Sequence, residues 1–410
     1  MKRIAYLTSE YPAPSHTFIR REVDALRMRG IEIETFSIRR PQPGVSFSPP
    51  DQKALKTTTY LLPIGLRVLI GSHLKTLIRS PSAYFKTLLK SLGHRAPGVR
   101  SLLWSIFYFA EAVVIAEMFK KMGIKHIHNH FANASGNVGM LASYLLGIPW
   151  SLTLHGTADW DYPFGYILPE KINQAAFVAC VSDYGRAQAL RITPSSNWGK
   201  IFVVRCGVDL STFPARKDTS PTSKVFHILT VGRLAPEKGH QGLIQAFAVV
   251  LKSGIDAKLT IIGDGPLYQE LSKNIIALNL QDLCVLAGQK TEEEVLKSLA
   301  TTDLFVLSSF MEGLPVVLME ALGMRVVVIA PGVAGIPELV RHNESGLLFA
   351  PGNWNELAEQ MEQSVRDHAM CKRMAEKGRQ RVEKEFDIHL AVEPLVEHFM
   401  SDETIESESI

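Results

Sequence analysis

The stretch FHILTVGRLAPEKG, residues 226–239, begins as an apolar β-strand and ends in a charged loop. The strand pattern stops at Gly232, and Arg233 and Lys238 then supply two fixed cations before a helix begins. Cationic side chains beside free backbone N–H groups at a helix start are suited to a diphosphate. A surface loop with solvated charges explains the same residues, so this stretch alone leaves both interpretations open.

The alternation of strand and helix extends in both directions from this stretch, which is typical of parallel sheets with crossover helices. In the first half, the predicted strands are Arg3–Leu7, Glu32–Ile38, His126–Asn129, Ser151–Leu154 and Phe177–Val181. In the second half, they are Phe226–Val231, Lys258–Ile262, Asp282–Leu286, Leu304–Ser308 and Arg325–Ile329. We therefore expect an α/β protein with two doubly wound, Rossmann-like domains that face each other across a cleft.

The length of 410 residues also favours two domains over a single core. The segment TFPARKDTSPTSK, residues 212–224, is rich in Ser, Thr, Pro and Lys and is typical of a linker. The predicted organisation is an N-terminal domain over 1–205, a linker over 206–224 and a C-terminal domain over 225–387. A helix over 388–400 is expected to return to the first domain, followed by an acidic tail over 401–410.

The composition excludes several classes of protein. Hydrophobic residues make up 46% of the chain and charged residues 21%, which is ordinary for a folded enzyme. The net charge of +3 gives no global field for binding nucleic acid. The four cysteines are scattered and predict a reducing, cytoplasmic compartment. The apolar stretch 102–119 contains Glu111 and Glu117, so a buried or interfacial helix suits it better than a membrane span.

The most specific segment is SSFMEGLPVVLMEA, residues 308–321. Glu312 and Glu320 are eight residues apart, about two helical turns, so we expect them on nearly the same face of a helix starting near Pro315. Two carboxylates at this spacing can hold hydroxyls on two linked sugars, while the N–H groups of the first turn face phosphate oxygens. A helix with two unremarkable glutamates is the alternative.

Gly263 and Gly265 follow a predicted strand at its carboxyl end, where glycines let a ligand approach the backbone closely. No GxGxxG pattern follows them, so they are not a dinucleotide fingerprint, and a tight turn explains them equally well. His155 ends another predicted strand. A neutral imidazole there can contact a sugar hydroxyl or stabilise charge developing at a reacting carbon, and a loop-capping structural histidine is the alternative.

Two further groups of polar residues lie in the first half. His126, His128 and His130 alternate along one strand face, but no cysteine or carboxylate pattern accompanies them, so a hydrogen-bonding row is favoured over a zinc site. The loop EYPAPSHT, residues 10–17, leaves the first strand at its carboxyl end. Candidates there for contacting the hydroxyl of a second substrate are Glu10, Ser15, His16 and Thr17. Thr17 alternatively caps the helix predicted over Thr17–Arg29.

Taken in order, these segments resemble the retaining glycosyltransferases of family 4, which have the two-domain GT-B fold. The resemblance covers nearly the whole chain and rests on GRLAPEKG, GDGPL, the pair Glu312 and Glu320, GIPELV and NESGLL. In the first half, TSEYPAPSHTFIRREVDAL and HIHNHFAN resemble the exopolysaccharide and colanic-acid branch, and TLHGTADW and VVRCGVDLSTF complete the set.

The resemblance implies a nucleotide-diphosphate sugar as donor and a glycan or lipid-linked acceptor, which the N-terminal domain would bind. Arg233 and Lys238 would bind the diphosphate, Glu320 the ribose hydroxyls, and Glu312 the transferred hexose, with His155 beside that hexose. The expected donor-binding residues also include Gly232, Gly263, Gly265, Gly313, Leu314, Pro315, Val316 and Val317. The resemblance also implies that no metal or other cofactor is needed, so the two cations and a helix N-terminus would take over neutralisation of the leaving group. Retention would follow from front-face attack, in which a phosphate oxygen takes the acceptor's proton and no enzymic base is needed.

The chain departs from the family pattern at two places. Arg325 and Val327 stand where the family usually has Gly and Pro, and losing the Gly is expected to remove the left-handed helix stop. His16 stands where the related branch commonly has Glu, which leaves the acceptor side open.

Residues 63–100 contain seven basic residues and no acidic ones, mixed with large apolar residues. This composition predicts contact with an anionic membrane surface, while a pair of ordinary helices with solvated basic faces is the alternative. A sugar-nucleotide epimerase of the same fold and a non-catalytic polysaccharide-assembly subunit remain alternative functions.

Overall fold

The computed structural model describes residues 2–13, 16–42, 47–163, 165–215 and 225–407. The chain forms two compact units, each with its own parallel sheet. The first unit comprises the residues up to Arg205 together with those from Val392 onward, and the second comprises Cys206–Ala391. The described part of the predicted linker over 206–224, residues 206–215, belongs to the second unit. Residues 216–224 of that linker lie outside the described ranges.

The sheet of the first unit has seven strands in the order β3-β2-β1-β4-β5-β6-β7, all of them parallel. The strands are β1 (Arg3–Glu10), β2 (Glu32–Arg39), β3 (Thr59–Tyr60), β4 (Ile124–His130), β5 (Trp150–Leu154), β6 (Val178–Cys180) and β7 (Ile201–Val203).

Within the described residues, nine α-helices connect these strands. They are α1 (Thr17–Met28), α2 (Pro49–Thr57), α3 (Leu66–Arg79), α4 (Pro81–Gly93), α5 (Val99–Met122), α6 (Ala134–Leu146), α7 (Thr157–Trp160), α8 (Leu168–Gln174) and α9 (Asp183–Arg191). Of the described helices, only α5 is long and apolar enough to cross a membrane by length and composition, and half of its most apolar part is buried in the protein. Its residues from Phe109 onward pack in the core, with Phe109 and Phe119 nearly inaccessible, whereas Val99 and Phe107 nearer its start are exposed.

The second unit has a six-stranded parallel sheet in the order β10-β9-β8-β11-β12-β13. The strands are β8 (Phe226–Val231), β9 (Ala257–Ile262), β10 (Cys284–Leu286), β11 (Leu304–Val306), β12 (Val327–Pro331) and β13 (Leu347–Phe349). The helices are α10 (His240–Lys252), α11 (Tyr268–Ala277), α12 (Glu292–Leu299), α13 (Val316–Gly323), α14 (Ile336–Leu339), α15 (Trp354–Arg366), α16 (His368–Glu385) and α17 (Ile388–Ala391). This strand order is that of a Rossmann-like sheet.

Every predicted strand is present, with end points that differ by a few residues. The strands that the sequence did not reveal are β3, β7 and β13, which have two or three residues each and are too short for a periodic pattern. The predicted fold class is thus confirmed: two Rossmann-like doubly wound units.

The last helix, α18 (Glu393–Ser407), belongs to the first unit although it follows the whole of the second. The segment predicted as a single helix over 388–400 is divided between α17 and α18, and α18 continues into the predicted tail. Phe399 of α18 is 4% exposed and lies edge-on to the rings of Tyr6 and Phe177.

Because Phe399 fills a buried position on the sheet, Phe399→Ala should destabilise the first unit by about 3–4 kcal/mol through lost burial and an unfilled cavity. Met400 is the matched control, since it is the next residue on the same helix and is 45% exposed. Met400→Ala should cost less than about 1 kcal/mol. Urea unfolding followed by circular dichroism measures both, and equal effects would show that α18 does not contribute to the core.

Candidate functional site

In the second unit, the predicted donor-binding residues follow three neighbouring strands. The loop 232–239 follows β8, the loop 263–266 follows β9, and the loop 307–315 follows β11. Strand β8 lies between β9 and β11. Successive strands are added on one side of β8 as far as β10 and on its other side from β11 onward, so the strand order reverses at the β8–β11 pair. Parallel α/β sheets bind ligands outside the carboxyl ends of their strands at such a reversal. The fold therefore brings these loops to the edge of the sheet where a ligand site is expected.

Lys238 and Glu312 form an ion pair that joins the loop after β8 to the loop after β11. Lys238 Nζ donates to Glu312 Oε1 at 2.6 Å, and Ser309 Oγ donates to the same oxygen at 2.6 Å. The two side chains are 23% and 9% exposed, so the pair is largely withdrawn from water. Both hydrogen bonds go to Oε1, and no described residue donates a hydrogen bond to Oε2 of Glu312. That oxygen is available to accept from a ligand hydroxyl.

Backbone contacts reinforce this connection between the two loops. Ser308 Oγ donates to the carbonyl of Lys238 at 2.9 Å, and the N–H of Phe310 donates to the carbonyl of Glu237 at 2.8 Å. Gly239 is left-handed, with φ of 63°, and a methyl group there would lie 2.2 Å from the carbonyl oxygen of Ser308. Only glycine fits this approach, which fixes Lys238 beside the loop that carries Glu312.

Arg233 lies in the same loop as Lys238 but is far more exposed. Its guanidinium donates to Glu237, and its side chain is 67% exposed. Partial burial of Glu237 tends to raise its pKa, but the hydrogen bond from Arg233 and the nearby charges lower the pKa overall. An exposed guanidinium with a single, partly buried partner can turn to a bound anion at little cost.

Gly263 and Gly265 have a structural requirement for glycine that the sequence did not indicate. Methyl groups at these positions would lie 1.9 Å from the carbonyl oxygen of Gly232 and 2.6 Å from that of Leu234. The loop after β9 therefore packs backbone to backbone on the loop after β8. The close approach observed at these glycines is to the neighbouring loop, and their predicted contact with a donor stays a prediction.

Glu312 and Glu320 are not on one helix face, so the spacing argument is wrong. Helix α13 begins at Val316 with Pro315 as its N-cap, and Glu312 lies in the loop before it. Glu320 is inside α13 and is 6% exposed. The first turn has no side-chain cap, and the preceding loop is held by a hydrogen bond from the N–H of Gly335 to the carbonyl of Gly313. Leu314, in the same loop, is buried.

The turn after α13 keeps the left-handed stop that the loss of Gly was expected to remove. Arg325 itself is left-handed, with φ of 55°. Its N–H donates to the carbonyl of Leu322, and the N–H of Val326 donates to that of Ala321, which is the Schellman pattern. The expectation for this turn is therefore wrong, because hydrogen bonding of the helix end imposes the conformation on Arg325. Val327 is the first residue of β12.

In the first unit, His155 lies just after β5 and is held on several sides. Its Nε2 is 2.7 Å from Nδ1 of His130, and its ring packs against those of Phe18 and Phe131. Its N–H donates to Asp159, a buried residue that sequence reasoning missed. Burial, followed by the neighbouring His130 and His16, lowers the pKa of His155 well below its ordinary value. The imidazole is therefore neutral at physiological pH, as its predicted role requires.

The histidine row of β4 is a buried hydrogen-bonding network. His126 Nε2 and His128 Nδ1 each lie 2.7 Å from Ser151 Oγ, and His128 Nε2 lies 2.9 Å from Thr153 Oγ1. Potential ligand atoms of Glu22, His128 and His130 lie within 4.8 Å of one another. Both nitrogens of His128 are engaged by hydroxyls, so a metal there would have to displace one of them. The geometry favours the hydrogen-bonding row over a metal site.

The acceptor-side candidates are only partly described, because Ser15 lies outside the described residues. Glu10 is the last residue of β1, and Thr17 is the first residue of α1, whose N-cap position is His16 without a side-chain cap. The capping role considered for Thr17 is thus not seen. Burial lowers the pKa of His16 to about 4, and its ring centroid lies 5.0 Å from that of Phe131. His16 is therefore beside the residues that enclose His155.

Two units that each hold a parallel Rossmann-like sheet, the second with a Lys–Glu ion pair beside β8 and β11, agree with the GT-B class of glycosyltransferases. The family model of glycosyl transferases group 1 matches residues 213–381, and that of glycosyltransferase family 4 matches residues 80–212. The two matches adjoin and cover well over half of the chain. The chain therefore belongs to the group 1 glycosyltransferases of family 4.

Individual relatives agree with this assignment. The amylovoran biosynthesis glycosyltransferase AmsK of Erwinia amylovora is 34% identical over 204 residues, which cover 48% of this chain and 50% of AmsK. The putative colanic acid biosynthesis glycosyltransferase WcaL of Salmonella typhimurium is 25% identical over 94% of this chain and 96% of its own. The crystal structure of Anabaena HepE with UDP-glucose matches with a TM-score of 0.72 at 17% identity, over 97% of this chain and 99% of HepE. The chain is thus a glycosyltransferase, and these relatives point to polysaccharide biosynthesis.

The left-handed Arg325 yields a stability prediction for the helix that carries Glu320. Arg325→Gly should stabilise the second unit by about 0.5–1 kcal/mol, because relief of left-handed strain exceeds the added entropy of the unfolded chain. Arg325→Ala keeps that strain and loses only the exposed pair with Glu376, so it should give no gain. Chemical unfolding of the three proteins tests this, and a gain for Ala equal to that for Gly would contradict it.

Proposed function

We propose that this chain is a retaining glycosyltransferase that moves a hexose from a nucleotide-diphosphate sugar to a glycan or lipid-linked acceptor. The observation that carries the proposal is the pair of Lys238 and Glu312 at the edge of the sheet, close in sequence to the uncapped first turn of α13. One group is an anion-binding ammonium and the other is a carboxylate with an unused oxygen. Together they match a ligand that joins a phosphate to a polyhydroxylated ring.

In this proposal, the leaving diphosphate is stabilised by Lys238, by Arg233 and by the N–H groups of Val316 and Val317. Such preorganised charges act most strongly where water is excluded, as it largely is around Glu312. They supply the positive charge that a divalent cation would otherwise provide, so we propose that transfer is independent of metal. Glu320 binds the ribose hydroxyls, Glu312 binds the hexose, and a phosphate oxygen accepts the proton of the attacking hydroxyl.

The named relatives support the biological setting of the proposal. AmsK and WcaL are named for the synthesis of amylovoran and colanic acid, and HepE was crystallised with UDP-glucose. We propose that this chain extends an exopolysaccharide or another cell-surface polysaccharide in the cytoplasm, next to the inner face of the cell membrane.

Donor binding should raise the melting temperature in a panel of UDP-, GDP- and ADP-sugars, since ligand at 100 times its Kd adds about 2.7 kcal/mol to the free energy of unfolding. Lys238→Gln should weaken binding of the best donor about 10- to 100-fold, as expected from losing a charged hydrogen bond worth about 1.5–3 kcal/mol. Lys290→Gln is the control, because Lys290 is also paired with a glutamate in the second unit but lies in an exposed i,i+4 pair. Equal effects of the two variants would argue against the donor site.

The reaction itself is tested with the donor that binds best. Release of free nucleotide should require an acceptor and persist in EDTA, and NMR of the product should show the anomeric configuration of the donor. Conversion of donor alone to another sugar nucleotide would favour the epimerase, and full complementation of polymer synthesis by Lys238→Gln would favour a non-catalytic subunit. An inverted product would overturn the retaining mechanism.

We further propose that α3, α4 and the first half of α5, here called the basic helical surface, rest on an anionic membrane. These helices expose large apolar side chains that include Ile78 at 80%, Leu89 at 68% and Val99 at 75%. The exposed cations of this surface without a described partner are Arg67, Lys75, Lys86 and Arg100. Apolar groups beside cations complement the acyl boundary and the headgroups of anionic lipid.

Vesicles rich in phosphatidylglycerol should sediment the protein at low salt, and raising the salt should release it because the attraction is screened. Phosphatidylcholine vesicles should bind it weakly. Ile78→Glu should reduce binding severalfold, and Ile276→Glu is the control because Ile276 is also exposed, at 55%, but lies in the second unit. Absent binding, or binding that does not respond to salt, would contradict the membrane contact.

A further inference from the structure

A chain of four buried or partly buried side chains in the first unit leads from the centre of the sheet to His155. Tyr6 donates its hydroxyl to Glu22 Oε1 at 2.9 Å, and the same oxygen lies 3.3 Å from His130 Nε2. The other nitrogen of His130, Nδ1, lies 2.7 Å from His155 Nε2. Tyr6, Glu22 and His130 are all less than 10% exposed, so water does not compete for these contacts.

One arrangement of protons avoids a repulsive contact at every link of this chain when both imidazoles are neutral, although His130 Nε2 and Glu22 are not in hydrogen-bond geometry. Burial and the nearby Glu22 raise the pKa of Tyr6 well above its ordinary value, so the phenol keeps its proton and donates it. A carboxylate repels a nitrogen lone pair, so the 3.3 Å approach of Glu22 to His130 Nε2 favours hydrogen on that nitrogen. Nδ1 of His130 then has a lone pair, and the facing Nε2 of His155 must be the donor.

The consequence concerns the remaining nitrogen of His155. A neutral imidazole with hydrogen on Nε2 has a lone pair on Nδ1. No described residue hydrogen-bonds Nδ1 of His155, and the residue is partly exposed. Phe18 and Phe131 pack against the ring and fix its orientation. His155 therefore offers an oriented hydrogen-bond acceptor and no donor.

We infer that Glu22, acting through His130, fixes His155 in the tautomer whose Nδ1 accepts a hydrogen bond from a hydroxyl of the bound sugar. Glu22 and His130 are positioning residues, and His155 is the group that contacts the ligand. The contact with a sugar rests on the proposed function, whereas the tautomer does not. The opposite tautomer of His130 would place a lone pair 3.3 Å from the carboxylate of Glu22, which is repulsive.

The tautomer is measured directly by NMR of the full chain with 15N-labelled histidine rings, with the His155 signals assigned by their loss in His155→Asn. We expect the Nε2 of His155 in the range of protonated nitrogens and its Nδ1 in the range of unprotonated ones, unchanged between pH 6 and pH 8. A protonated Nδ1 in the wild type overturns the inference without the need for any variant.

Variants test whether Glu22 sets this tautomer. Glu22→Gln replaces an obligate acceptor by an amide that can also donate, so the signals of His155 should shift toward a mixture of tautomers. Glu117→Gln is the matched control, because Glu117 is a similarly buried glutamate of the same unit that pairs instead with Arg79. The control should leave the signals of His155 in place, and an unchanged spectrum in Glu22→Gln contradicts the inference.

A double-mutant cycle tests the functional connection. Glu22→Gln should lower kcat/KM about tenfold in the wild-type background and have almost no further effect in His155→Ala, because residues that act through one another are not additive. Full additivity would show that Glu22 acts independently of His155. If no donor supports transfer, the proposed function fails, and the spectra still decide the tautomer.

Discussion

The contact between the ammonium of Lys238 and the carboxylate of Glu312 is the constraint on which the second unit's site depends. It joins loops that are far apart in sequence but follow adjacent strands of one sheet. A largely buried charge is stable only when it is paired and hydrogen-bonded, and Ser309 supplies the additional bond. Removing either charge leaves the other uncompensated, so these residues are coupled in folding and in ligand binding alike. Gly239 makes the contact sterically feasible, because any larger residue would hold the loops apart.

Periodic features of the sequence predicted the architecture well, whereas the local geometry of the site was not accessible in that way. Strands such as Phe226–Val231 alternate with apolar helices, and this pattern suffices for two parallel sheets. The eight-residue spacing of Glu312 and Glu320 was the wrong argument for a shared helix face, because the helix begins at Val316 and Glu312 precedes it. Long-range pairing brings Glu312 to Lys238, and no local pattern encodes such pairing.

A second limit of sequence reasoning is that the role of a single residue depends on contacts that only the folded chain shows. Gly263 suggested a ligand, but a neighbouring carbonyl already requires a residue without a side chain there. Arg325 suggested a lost turn, but two hydrogen bonds at the helix end retain the turn with a strained residue. Glu22 was not singled out, because a glutamate inside a helix is ordinary until its partners are known. Its helical spacing from Ile19 and Leu26, three and four residues away, was the available signal because it places Glu22 on the apolar face.

The first unit is discontinuous in the chain, since α18 follows the entire second unit. During synthesis the ribosome therefore releases all seven strands of the first sheet long before Phe399 emerges to cover Tyr6 and Phe177. Until then the aromatic and histidine side chains that Phe399 contacts on that face lack this cover. The second unit, which is continuous, can complete its own core first. Maturation of the first unit consequently waits until the segment that carries α18 has been translated.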